Sequence, residues 1–188
     1  MRRALIICLA ALALFVNTPS FATESTVAQE RAEIRKTSQS ILRQLYRSSP
    51  AAKKRIAASA GYATFSNFGM KIFLAGGGAG SGLAVNNRTQ REIFMKMVEV
   101  QAGFGIGIKK FSLVFVFDNE DALTNFVDSG WESSAQATAA ATDGKQGGAF
   151  EGAVLVAPGV HVYQMTDKGL ALDATLKGTK YYRNNDLN

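Results

Sequence analysis

Hydrophobic residues are spaced in two ways along this chain, and the change from one to the other divides it. From 23 to 48 the period is helical. Val27, Ile34, Ile41, Leu42 and Leu45 share one stripe, and Lys36, Arg43 and Arg47 lie on the opposite side. Ser49-Pro50 then has the chemistry of a helix start, a hydroxyl cap followed by proline at the first helical position. This predicts a second, short helix over 51–60, closed by Gly61. Beyond it the period becomes two, the side-chain period of a strand. Residues 62–66 read as a short strand and Asn67-Phe68-Gly69 as a turn. Next comes a run in which Gly76, Gly78, Gly80 and Gly82 fall on one parity. A second run repeats this with Gly103, Gly105 and Gly107. Each predicts a strand with one face stripped of side chains. Glycine weakens a strand, so its repetition needs a geometric reason: sharp curvature, or close approach by a helix, another sheet or a ligand.

Between these runs, 86–89 is a turn by composition, and 91–101 alternates with Ile93, Met95 and Met97 on one side. Residues 111–117 are nearly all apolar, as in a buried central strand. Asp118 is placed to cap a helix over 119–127, with Ala122, Leu123, Phe126 and Val127 inward and Gly130 ending it. The stretch 131–148, rich in Ala, Thr, Gly and Ser, predicts no regular element. Strands follow at 150–157 and 160–165 around Pro158-Gly159, then a hairpin turn at 166–169 and a return strand over 170–176. Tyr181-Tyr182 predicts a terminal anchor. Strands outnumber helices and the connections are short. The expected fold is α+β: a curved antiparallel sheet, sandwich or half-barrel, packed with an N-terminal helical segment (23–60) and one further helix, with 61–188 mainly β.

The first residues change the picture of where the chain works. Met1-Arg2-Arg3, an apolar run over 4–16, and small residues at Ser20 and Ala22 form a secretory signal peptide, 1–22, cut after Ala22. The run is shorter than the roughly 20 residues a spanning helix needs. A periplasmic chain of a single domain, 23–188, is expected. Cys8, the sole cysteine, leaves with the leader, so no disulfide or thiolate chemistry remains. The 188-residue chain has a formal net charge of +6, and its distribution says more than the total. Residues 23–110 hold 14 Lys and Arg against 5 acids, whereas 111–188 hold 5 against 10. In an exported chain such a basic half favours a lipid headgroup or polyanion over nucleic acid.

Motif tests exclude most chemistry. Residues 77–82 have P-loop spacing, but Leu83 stands where the lysine belongs. The dinucleotide pattern fails at Leu83 and again at Ile108, and neither run opens a helix. His161, the one histidine, lies in an alternating strand and reads as structural. Ser81 is not in a nucleophile elbow. No spacing holds a metal, no cofactor is implied, and no catalytic residue is assigned. Asp118, Glu120, Asp121 and Glu132 leave a paired-carboxylate enzyme open as a minor alternative. The first three read more simply as a helix start.

Taken in order, Leu42-Leu45-Tyr46, Pro50, Ala60-Gly61-Tyr62-Ala63-Thr64-Phe65, Gly82-Leu83-Ala84-Val85 and Gly103-Phe104-Gly105-Ile106-Gly107 form one pattern. It continues through the strand to Phe117, Ala122-Leu123, Phe126, Val162-Tyr163, Lys168-Gly169-Leu170 and Gly178-Thr179-Lys180-Tyr181-Tyr182. The chain resembles the SYLF-domain family over nearly all of 23–188. The resemblance implies a lipid-binding domain without enzymatic activity. Its members occur in fungal and animal endocytic adaptors and among exported bacterial proteins. Actin, a partner of some fungal members, is not expected in this compartment. The expected partner is anionic phospholipid or a membrane surface. The alternative is an envelope structural or interaction protein meeting a protein or an anionic polymer. Candidate lipid-binding cations are Lys53, Lys54, Arg55, Lys71, Lys109 and Lys110. The candidate close-approach glycines are the seven named above. At about 1 kcal/mol per cation near an anionic membrane, charge alone gives weak, salt-sensitive attachment.

Overall fold

The computed structural model describes residues 21–132, 152–166, 169–171 and 178–188, and of 68–76 and 101–109 the backbone alone. Residues 1–20 of the expected leader, the 133–151 stretch and most of the 170–176 strand lie outside the described residues; Phe21 and Ala22, the leader's expected last two residues, open α1. Two helices come first, α1 (Phe21–Ser48) and α2 (Pro50–Ala58). Ile34, Ile41 and Leu45 of α1 are buried, and Lys36, Arg43 and Arg47 are exposed, as the stripe predicts. α2 ends two residues early, with Ser59 rather than Gly61 as its cap. The Ser59 hydroxyl bonds back to the Ile56 carbonyl at 2.8 Å.

Gly61 instead opens β1 (Gly61–Asn86), which pairs antiparallel with β2 (Glu92–Phe117) along almost its whole length. No turn interrupts β1 at 67–69, where the composition mimics one, and β2 runs through 101–110 as the glycine parity predicts. Each strand is held extended by the other: Phe68 faces Lys110, Lys71 faces Gly107 and Phe73 faces Gly105. A straight strand of 26 residues would measure about 85 Å, far beyond a domain of this size. The ribbon therefore doubles back, and its register slips between Phe73 and Ala75, as at a bulge that sharpens a bend. After the bend, Gly82 lies against the Phe65 ring, Gly80 against the Ser66 carbonyl and Gly78 against the Asn67 amide.

The other elements complete this doubled ribbon. α3 (Glu120–Asp128) is capped by Asn119, one residue later than expected, whose Oδ1 accepts from Ala122 N at 2.9 Å. β3 (Trp131–Glu132), β4 (Val154–Ala157), β5 (Val160–Thr166), β6 (Gly169–Ala171) and β7 (Thr179–Arg183) follow, with a 3-10 turn at Asn185–Leu187. The sheet has seven strands among the described residues, every pairing antiparallel. β5 pairs with the late part of β2 (Ser112–Phe117) and β7 with its early part (Met95–Glu99). The result is a curled half-barrel of the α+β class.

Alternation along β2 sorts the core. Leu113, Phe115 and Phe117 point into the half-barrel with Phe65, Met95, Met97, Phe126, Trp131 and Tyr181. Tyr181 packs edge-on to Phe65 at 4.8 Å and to Phe115 at 5.0 Å between centroids. Val114 and Val116 point outward, under Ile41, Leu45, Ala52 and Ile56 of the two helices. The early half of α1 lies over Leu83, Val85 and Phe94. Burying several such side chains, at roughly 1.5–3 kcal/mol each, holds the helices to the sheet.

Candidate functional site

The helical layer turns a cationic face to solvent. Residues 34–60 contain seven Lys and Arg and no acid. Arg35 is held by Glu92 at 2.7 Å and Arg55 by Asp118 at 3.7 Å. Lys36, Arg43, Arg47, Lys53 and Lys54 are exposed, and none is in an ion pair among the described residues. Lys36, Arg43 and Arg47 follow one another at intervals of seven and four, which keeps them on one stripe. That stripe is opposite the buried one.

The structure separates the six cations expected to meet lipid. Lys53 and Lys54 are exposed on α2, but Arg55 turns back to the sheet, its side chain 23% exposed. Lys71 and Lys109 sit in the bend, opposite Gly107 and Gly69. Their side chains lie outside the described residues. Lys110 is exposed where the bend rejoins the sheet.

Of the expected close-approach glycines, Gly78, Gly80 and Gly82 are approached by the chain itself. A methyl group at Gly80 would collide with the Ser66 carbonyl and stand 2.8 Å from Met97 Cγ. At Gly82 it would overlap the Phe65 ring and meet the Thr64 carbonyl at 2.7 Å. At Gly78 it would stand 2.9 Å from Asn67 Oδ1 and 3.1 Å from Glu99 Oε2. The bare face thus points inward, where the folded-over ribbon fills it. Gly76, Gly103, Gly105 and Gly107 lie within the bend, where only register is described.

Two clefts flank α1 where it crosses β1. One, of about 410 Å³, is lined by Glu30, Glu33, Thr37, Thr64, Ser81 and neighbours, so its charge is negative. The other, of about 300 Å³, is lined among the described residues by Gln44, Ser66, Asn67, Lys110, Ser112 and Thr166, beside Phe111 and Met165, and the Asn67 amide donates to the buried Glu99 carboxylate at 2.6 Å. Ser66 and Ser112 are register partners, so both hydroxyls emerge at one point of the sheet. Reasoning from sequence missed this group, although two serines breaking otherwise apolar strands were a usable signal.

Asp118 and His161 do come together. His161 Nε2 is 3.0 Å from Asp118 Oδ2, with Arg55 beside the same carboxylate. Burial holds the imidazole below its ordinary pKa, the Arg55 charge adds to this, and Asp118 opposes it. Glu132 is not part of the group; it lies on β3 opposite Lys180. Neither cleft is lined by Asp118 or His161, and the cluster ties α2 and β5 to the end of β2. Among the described residues no group of His, Cys, Asp and Glu could hold a metal, and no helix is long and apolar enough to cross a membrane.

Two comparisons bear on this geometry. Residues 98–188 match the family model Ysc84, described as "Las17-binding protein actin regulator". Beta cell expansion factor A of Aeromonas veronii is 33% identical over 165 residues, which is 86% of this chain and 60% of the relative. The chain thus spans about three fifths of that relative's length.

Proposed function

Since this chain belongs to the SYLF-domain family, whose members are in general lipid-binding, we propose that it binds anionic phospholipid at a membrane surface of the cell envelope and catalyses no reaction. One observation carries the reading: the acid-free run 34–60, the later part of α1 and all of α2, presents Lys36, Arg43, Arg47, Lys53 and Lys54 to solvent. Each such cation near an anionic membrane contributes about 1 kcal/mol, so five give about 5 kcal/mol, a dissociation constant on the order of 0.1 mM. Attachment of this strength is reversible and steeply salt-dependent. In that compartment actin is not among its partners.

Vesicle flotation tests the proposal. The protein is expected to float with vesicles of phosphatidylcholine containing 30% phosphatidylglycerol, less so at high salt, and not with phosphatidylcholine alone. Replacing Lys53→Glu and Lys54→Glu together reverses two of the five charges and is expected to abolish flotation. Equal flotation of this variant and the parent would remove the helical face from the account. A parent that floats with neither vesicle would favour the alternative, an envelope protein or anionic polymer as partner.

A further inference from the structure

The cations of the helical layer attract the chain to an anionic surface, but charge alone holds it there weakly. Resting on the membrane reading above, we propose that the outer face of the β1–β2 bend is a lipid-inserting surface, which enters the acyl border of the bilayer that the cations attract. β2 keeps one alternation through the bend. Met95 and Met97 before it, and Phe111, Leu113 and Phe115 after it, belong to the half-barrel core, and all are odd-numbered. The even-numbered residues share the outer face, as Phe94, Val114 and Val116 under the helices do. Across the bend these are Val98, Val100, Ala102, Phe104, Ile106 and Ile108, six apolar positions in succession. β1 matches them, with Met70 opposite Ile108 and Ile72 opposite Ile106. The odd positions between are Gln101, Gly103, Gly105, Gly107 and Lys109, so the two faces of the ribbon are chemically opposite.

The face is open where its side chains are described. Val98 is 39% exposed and Val100 70%, the two large hydrophobic residues left at the surface among the described residues. A continuous apolar patch of this kind marks contact with a membrane or with a protein. Composition and position favour the membrane. Not one of the six positions is polar, whereas a protein interface intersperses hydrogen-bonding groups among its apolar ones. α1 and α2 lie on this same face of the sheet, over Phe94 at one end and over Val114 and Val116 at the other. The bend and the cationic layer are thus on one side of the molecule, where one anionic bilayer meets both. β1 and β2 pair through the bend, which satisfies backbone groups that an apolar medium would leave stranded. Both ends of the bend are tied to the sheet, by β7 at Glu99 and by β5 at Ser112, so the face lies along the bilayer surface and does not cross it.

Single labelled cysteines test the face. In a Cys8→Ser background, which removes the sole cysteine, Val100→Cys, Ile106→Cys, Gln101→Cys and Arg88→Cys each carry the polarity-sensitive dye NBD. They are mixed with vesicles of phosphatidylcholine containing 30% phosphatidylglycerol. Dyes at Val100 and Ile106 are expected to brighten, shift to the blue and be quenched by a spin label on the acyl chain. Dyes at Gln101, of the opposite parity, and at Arg88, in the distant turn, are expected to stay unchanged. Val100→Gln, neutral and at an exposed site, should keep the parent's urea midpoint and bind the vesicles about tenfold more weakly, the effect of withdrawing one valine from hydrocarbon. Flotation without any change at Val100 and Ile106 would overturn the insertion and leave the membrane reading standing on the cations. Equal changes at Gln101 and Val100 would overturn the one-faced surface. Brightening that rises with protein concentration in the absence of vesicles would assign the face to a second copy of the chain. A parent that neither floats nor responds at any dye would sink the membrane reading and the insertion together.

Discussion

Substituting alanine at Gly80 and at Gly77 asks directly what the glycine run is for. The two sites are three residues apart on β1, and their surroundings are opposite. At Gly80 the added methyl has the Ser66 carbonyl inside contact distance and Met97 Cγ at 2.8 Å; at Gly77 its nearest neighbour is the Glu99 carbonyl at an ordinary 3.5 Å. The Ser66 oxygen is backbone and cannot swing aside, so the two halves of the ribbon must part. Overpacking of this kind costs about 1–3 kcal/mol. Alanine returns about 0.4–1 kcal/mol by stiffening the unfolded chain. Gly80→Ala should therefore lose about 1–2 kcal/mol, lowering Tm by roughly 2–8 °C in a chain of this length. In urea the midpoint should fall by about 0.5–1 M at an m-value near 2 kcal/mol/M. Gly77→Ala should be neutral or slightly stabilising. Fluorescence of Trp131, the sole tryptophan and a buried one, reports both transitions. Equal stability of the two variants, at or above the parent, would refute the account of the run as room for the folded-over ribbon. Should Gly80→Ala keep its stability but cease to float with vesicles, the face would be a ligand surface after all.

Two further outcomes follow from the core and the polar cluster. The His161 imidazole is held below its ordinary pKa in the folded chain, so the unfolded chain takes up the proton first. Stability should be full above about pH 6.5 and fall as the pH drops below it, and His161→Gln should flatten that part of a urea-midpoint profile. Tyr181→Ala empties the centre of an aromatic group built by Phe65, Phe115, Phe126 and Trp131 and should cost about 3–5 kcal/mol, read by calorimetry or urea unfolding.

The elements were legible where one force decides them. The α1 stripe, the buried strand ending at Phe117 and the inward face of α3 follow from hydrophobic spacing, because burial alone sets them. The ends were less legible. Asn119 rather than Asp118 caps α3, because Asp118 is drawn to His161 and Arg55, contacts no local pattern reveals. The greatest departure is at 67–69, where turn-like composition hides an unbroken strand. Only the partner strand supplies the register that keeps it extended. For the candidate site, the acid-free run 34–60 was open to view. The convergence of Gln44, Ser66, Lys110 and Ser112 was not, since residues far apart meet only after the ribbon has bent. At Gly78, Gly80 and Gly82 the groups that come close are Asn67, Ser66 and Phe65 of the same strand.

The half-barrel is sealed late. Trp131 and Tyr181 come from short strands on the outer flank of the early β2 segment, and among the described residues β3 pairs with β7 alone. During synthesis the long hairpin emerges with its inner wall greasy and uncovered, and no local contact can stand in for a tyrosine still 64 residues behind Phe117. A chain released before residue 178 has no lid for that wall, and its natural fate is to be held by a chaperone, cleaved, or lost to aggregation.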